Sequence, residues 1–292
     1  MSSKFSFDGI GTKWIININE DISKEKELLL LELIKKRIEL FDSTYSRFRN
    51  DSWVSELSRK EGKYQLPPDA EELFSLYQDL YKISDGLVTP LIGETLVGAG
   101  YDAEYSFKQS NSLKTPPLWD EILDYAPPFL TIKKPTLLDL GAVGKGYLVD
   151  LVGKLLEENS IYSYVINAGG DILYKDNLGK NIRIGLEHPE DFKKVIGVVE
   201  IKNQSIAGSA GNRRKWGEFN HIINPKTLSS PKDILSVWVV AKKTILADGL
   251  ATALFFVPAE ILLKKFEFEY IIFKADHSIE RSSFKNYMLE LY

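Results

Sequence analysis

Apolar and polar positions along this chain follow two periods, and the places where one gives way to the other mark its elements. Thr12 to Ile18 reads as a strand. From Ile22 to Phe41 apolar and charged residues recur at helical spacing, with Leu29, Ile34, Ile38 and Phe41 helping to define the apolar side. The polar and aromatic stretch Asp42 to Asn50 reads as a loop. Pro67-Pro68-Asp69 opens a helix to about Ser84, because proline suits a first helical turn. Residues 98–128, rich in Gly, Pro and Tyr, read mostly as irregular connection.

The second half is more regular. Leu137 to Leu140 reads as a short apolar strand running into the glycine-rich turn 141–146, then a helix from about Tyr147 to Glu158. Tyr162 to Asn167 is a strand ending in Ala168-Gly169-Gly170-Asp171. Further strands are predicted near Ile182 to Leu186, Val195 to Ile201, His221 to Ile223, Leu235 to Ala241, Tyr270 to Lys274 and from Ile279 onward. Helices are predicted over Thr244 to Val257 and Ala259 to Phe266. Strict βα alternation is absent, so the pattern predicts an α+β fold rather than a doubly wound sheet.

Composition narrows the chemistry. The 292 residues are 44% hydrophobic and carry a net charge of −4. That is ample for a core and gives no basic face for nucleic acid, so no nucleic-acid partner is expected. Cysteine is absent and there are three histidines. Disulfides and thiolate metal sites are excluded, and a bound metal would take oxygen or imidazole ligands, with Mg²⁺ or Ca²⁺ the natural choices. The start of the chain lacks a signal-length apolar core, and no run is long enough for a transmembrane helix. A cytoplasmic chain is the expectation, although one trimmed of a signal would read the same.

Four constellations carry candidate chemistry. In the apolar helix 244–257, Asp248 and Thr252 lie one turn apart, almost one above the other. A buried carboxylate needs a cation or several donors. A hard divalent ion on Asp248 and Thr252 satisfies it; so does a Lys or Arg partner, with Thr252 bonding back to its own helix. In the stretch Leu138 to Gly146, glycines before a helix suit either a phosphate or mere tight packing, and Lys145 can add charge. Asn167-Ala168-Gly169-Gly170-Asp171 reads as a close-approach turn. Finally, Arg213 and Arg214 can meet phosphate or simply be solvated, and His221 can be a base or a structural histidine.

The order of these segments matters more than any one of them. With Gly9-Ile10-Gly11-Thr12, Ser43-Thr44-Tyr45, Asp85-Gly86-Leu87-Val88-Thr89-Pro90, Asp139 to Tyr147, Asn167 to Asp171, His221-Ile222-Ile223-Asn224-Pro225 and Ala247 to Leu254, the chain resembles the FAD:protein FMN transferase family, the ApbE-like proteins. The resemblance runs along nearly the whole length. It implies a single domain over 1–292, with a T-fold-like α+β architecture of two intimately packed lobes and the FAD and Mg²⁺ site in the cleft between them. It implies Mg²⁺ on the Asp248 carboxylate, the Thr252 hydroxyl and the Ala142 carbonyl. FAD contacts are expected at Ile10, Tyr45, Leu87, Val88, Thr89, Asp139 and Lys145, with His221 as catalytic base. The implied reaction moves FMN from FAD to a Thr or Ser hydroxyl of an acceptor flavoprotein and releases AMP. A Mg²⁺-dependent FAD pyrophosphatase and a non-catalytic flavin carrier are the alternatives. The chain departs from the family pattern at Ile10, where Met is usual, at Thr89, where Asp is common, and at Ser209-Ala210-Gly211, where Ser-Gly is expected.

Overall fold

The computed structural model describes residues 3–285 and 287–292. At its centre is an eight-stranded sheet with strands in the order Ser3–Gly9, Thr12–Ile18, Tyr164–Ala168, Asp171–Lys175, Ser205–Ala210, Ile234–Ala241, Glu269–Lys274, Ile279–Arg281. Every neighbouring pair is antiparallel. The sheet is open at both ends, as expected of an α+β fold and not of a barrel.

The two faces of the sheet are covered differently, and the strand Ile234–Ala241 explains how. Side chains alternate across a strand. Val237, Val239 and Ala241 join the core formed with helices Lys24–Tyr45, Gly141–Glu158 and Thr244–Ala253. Val240, Trp238 and Leu235 face the other way. There they pack with Leu186, Val199 and Ile201 of a second sheet, built from Ile182–His188, Asp191–Ile201 and Met288–Leu291. Apolar cover on both faces is why this strand reads as one continuous apolar run.

Several expectations are corrected. The first helix is Lys24–Tyr45, so the supposed loop at Asp42 starts inside it. Its buried positions are Leu30, Ile34, Ile38, Phe41 and Tyr45, whereas Leu29 is half exposed. Phe41 and Tyr45, with ring centres 4.8 Å apart, extend the apolar stripe and carry the helix past the polar residues between them. Leu137 to Leu140 is not a strand: the Asp139 N–H bonds the Pro90 carbonyl at 2.7 Å, in a loop rather than a ladder.

The glycine-rich turn is the start of the helix Gly141–Glu158 itself. A Cβ at Gly146 would lie 2.4 Å from the Thr244 carbonyl oxygen. Glycine there lets two helices touch, which outweighs its poor helix propensity. His221 to Ile223 lies beyond the short strand Phe219–Asn220 rather than in a strand. The strands Ser3–Gly9, Asp171–Lys175 and Ser205–Ala210 escaped the pattern. Ser205–Ala210 is made of small and polar residues and becomes a strand only because partners flank it on both sides.

Candidate active site

The helix Thr244–Ala253 lies against Gly141–Glu158, and Asp150 fixes that contact. Its two carboxylate oxygens accept the backbone N–H groups of Thr244 and Ile245, at 2.9 and 2.8 Å. Asp150 thus caps the helix from a neighbouring element, satisfying two N–H groups left free by the helix start. Burial nevertheless pushes its carboxyl up to about 6, against the pull of those bonds.

One turn into the capped helix, Asp248 is 4% exposed and points at Gly146, whose N–H donates to it at 2.8 Å. A regular helix would direct that N–H at the Ala142 carbonyl, four residues earlier. Asp171, on the neighbouring sheet, is fully buried and ion-paired with Lys145. Lys145 also lies 3.9 Å from Asp248. Two buried carboxylates therefore share one ammonium. Burial, then the charge of Asp248, pushes Asp171 far above the usual carboxylate range. Burial also raises Asp248, although Lys145 and the Gly146 N–H pull the other way. For Lys145 burial opposes the charge, but the two carboxylates outweigh it and raise the ammonium above the ordinary lysine value.

Asp248 and Lys145 open on a cavity of about 370 Å³, with Asp171 buried behind them. Ala142, Lys145, Asp248, Thr252 and His221 all line it, and so do Leu87, Val88, Thr89 and Asp139. The His221 imidazole is pushed down to about 4 by burial, then by the charges of Arg214 and Lys145. Its Nδ1 is buried without a hydrogen-bond partner. Near neutral pH the ring is uncharged and keeps a free lone pair.

Asp139 is held differently. One carboxylate oxygen meets Arg47 Nε and the other accepts the Gly141 N–H at 2.8 Å. Arg47 also donates to the Tyr101 carbonyl at 2.8 Å and lies over the Phe48 ring at 4.2 Å. Thr89 caps the short turn Pro90–Ile92, its hydroxyl accepting the Leu91 N–H at 3.2 Å. An Asp can do the same at that position, so this departure from the family pattern keeps the cap.

Ile10 and Tyr45 do not line the main cavity. They lie on a smaller one of about 150 Å³, which shares Phe48, Tyr101, Asp139, Lys145 and Arg214 with it. The Tyr45 hydroxyl is spent on Asp69, which also binds Arg37. Ile10 sits in the two-residue turn between the first two strands, where Gly9 faces Thr12. Its φ is +44°, a left-handed value that a β-branched residue rarely takes.

Asp171 and Arg47 were given no site role from sequence alone, whereas Arg214 was read as one of a basic pair able to meet phosphate or simply be solvated. Asp171 had a signal, since it closes the Asn167-Ala168-Gly169-Gly170-Asp171 motif. Arg47 had none beyond its closeness to Tyr45. Among the described residues no three His, Cys, Asp or Glu side chains gather as a metal site.

The fold and site define a class: an open antiparallel sheet, helices on one face, and a cavity of mixed polar and apolar lining bordered by the helices Gly141–Glu158 and Thr244–Ala253. Residues 10–271 match the ApbE family, and the chain belongs to that family. It is 26% identical over 307 residues to the FAD:protein FMN transferase of Haemophilus influenzae, covering 94% of this chain and 87% of that protein. It is 28% identical over 207 residues to the protein of the same name from Rhodobacter capsulatus, covering 65% of this chain and only 39% of that protein. The flavin transferase ApbE of Vibrio cholerae superposes with a TM-score of 0.80 at 21% identity, covering 97% of both chains. The ApbE protein of Thermotoga maritima superposes with a TM-score of 0.82 at 20% identity, again over 97% of both chains.

Proposed function

We propose that this chain transfers the FMN half of FAD to a Thr or Ser hydroxyl of an acceptor protein, releasing AMP, with Mg²⁺ bound at Asp248. The observation that carries this reading is the meeting, in one cavity, of an uncharged buried histidine with the buried Asp248 carboxylate, the Thr252 hydroxyl and Lys145. Family membership supplies the substrate class, since the relatives named above are FAD:protein FMN transferases.

The residues suit a hard divalent cation. Asp248 offers a carboxylate, Thr252 a hydroxyl and Ala142 a carbonyl, all lining the same cavity. Oxygen donors of this kind match Mg²⁺, and two buried carboxyl groups that share one lysine give the protein a reason to bind it. When bound, Mg²⁺ supplies charge neutralisation at the pyrophosphate.

The chain's own part is positioning and proton transfer. The acceptor oxygen forms a bond to the phosphorus of the FMN half, and the bridging bond from that phosphorus to AMP breaks. His221 takes the proton of the attacking hydroxyl, which its neutral state allows. Little covalent help is needed for phosphoryl chemistry of this kind.

The test is direct. Incubation with FAD, Mg²⁺ and a peptide or domain bearing an acceptor Thr should release AMP and add the mass of FMN to the acceptor. AMP without a labelled acceptor would mean that water is the nucleophile and the chain is a pyrophosphatase. Intact FAD would mean a flavin carrier.

A further inference from the structure

Among the described residues, every Lys and Arg bordering the two cavities has a carboxylate partner except one. Arg47 pairs with Asp139, Lys145 with Asp171, and Arg213 with Glu187. Among the described residues no carboxylate forms an ion pair with Arg214. Its position is nevertheless well determined. Nη1 donates to the Tyr101 hydroxyl at 2.7 Å, and the guanidinium lies 5.9 Å from the centre of the Tyr101 ring. Tyr101 is itself buried, stacked on Trp216 with ring centres 5.5 Å apart. The Trp216 indole N–H is tied to the Ala99 carbonyl at 2.7 Å.

Arg214 and His221 are the two feet of one hairpin. Lys215 pairs with Asn220 and Trp216 with Phe219, and one step below them the His221 N–H donates to the Arg214 carbonyl at 3.2 Å. The hairpin thus sets an arginine beside the candidate base. Arg214 lines both the main and the smaller cavity, as Lys145 does.

Charge agrees. Asp139 and Arg47 cancel, whereas Arg214 brings a positive charge with no carboxylate of its own, and a dinucleotide pyrophosphate carries two negative charges. We infer that Arg214 is a substrate-binding residue, which grips a phosphate of the dinucleotide. This inference rests on the flavin reading of the cavity. The guanidinium fork suits a phosphate bidentately, and its hold on Tyr101 fixes its direction beforehand. The same charge also helps to keep His221 neutral.

The experiment compares riboflavin, which has no phosphate, with FAD. Affinities are measured by calorimetric titration in EDTA for the wild-type chain, Arg214→Gln and Arg214→Lys, with melting temperatures recorded alongside. We expect Arg214→Gln to weaken FAD binding about 10- to 100-fold, the range for one charge-assisted contact, and to leave riboflavin unchanged. Arg214→Lys should recover part of the loss. Equal weakening of riboflavin and FAD would mean that Arg214 only props the hairpin, and would overturn the assignment. So would unchanged FAD affinity in Arg214→Gln. Failure of the flavin reading looks different: the wild-type chain would bind neither ligand, and the assignment would fall with it.

Discussion

The cavity holds two buried carboxylate sites built on opposite principles. Asp139 is compensated from within, by Arg47 on one oxygen and the Gly141 N–H on the other. Asp171 and Asp248 share a single lysine. Removing a charge from water is costly unless it is paired and bonded. The first site meets that condition without a ligand; the second leaves two buried carboxyl groups to one lysine. A complete site stabilises the fold, and the incomplete one is where the proposed function puts its cation.

The largest effect should come from the incomplete site. Asp248→Ala should lower AMP release by at least about a thousandfold, because it removes the carboxylate that the proposed function gives to the cation. Full turnover of that variant, unaffected by a chelator, would break the distinction. Next is His221→Ala, expected to cost about 10²- to 10⁴-fold in transfer while FAD binding persists, the usual range for loss of a general base. Undiminished labelling would remove the histidine from the chemistry.

The pH profile sharpens the same point. His221 titrates near 4 rather than 6.5, so kcat/KM should stay level as pH falls from 7 and decline only toward about 4. The sign for stability agrees. The folded imidazole holds its proton less tightly than the unfolded one, so its contribution is present above pH 6.5 and lost as pH falls through about 4. An acid limb at 6.5 would show that the ring is not buried during binding.

Stability then separates the two carboxylate sites. Asp139→Asn strands the buried Arg47 and should cost about 3–5 kcal/mol in urea unfolding. Asp171→Asn in metal-free protein replaces a carboxyl group that burial already holds far above the usual carboxylate range, and leaves Asp248 as the carboxylate beside Lys145. It should change stability by about 1 kcal/mol or less, in either direction. Equal losses at the two positions would mean that the Asp171 site is as self-sufficient as the Asp139 site.

How much of this was legible depends on distance along the chain. Asp248 and Thr252 were visible because one helical turn brings them together, and the apolar residues around them announced burial. The strand Ile234–Ala241 was visible because both of its faces are apolar. The strand Ser205–Ala210 was not, since its burial comes from its partners rather than its own residues. The glycines at 141–146 announced close approach, but a turn and a helix–helix contact need glycine equally. Only the Thr244 carbonyl against Gly146 decides between them.

By itself, the sequence determined the α+β class, the family and the residues facing one another across single helical turns, because periodicity and local spacing are written into the chain. The tertiary structure alone decided which charges meet. Arg47 lies 92 residues from Asp139, and the Gly146 N–H lies 102 from Asp248. No local pattern encodes such pairings. They arise when packing excludes water and leaves each buried charge to find whatever partner the fold has brought near. That is why Asp248 could be marked early as a buried carboxylate in need of a cation or several donors, while the pairing of Asp171 with Lys145 and the hold of Tyr101 on Arg214 emerged only once the sheet, two helices and a hairpin had closed around it.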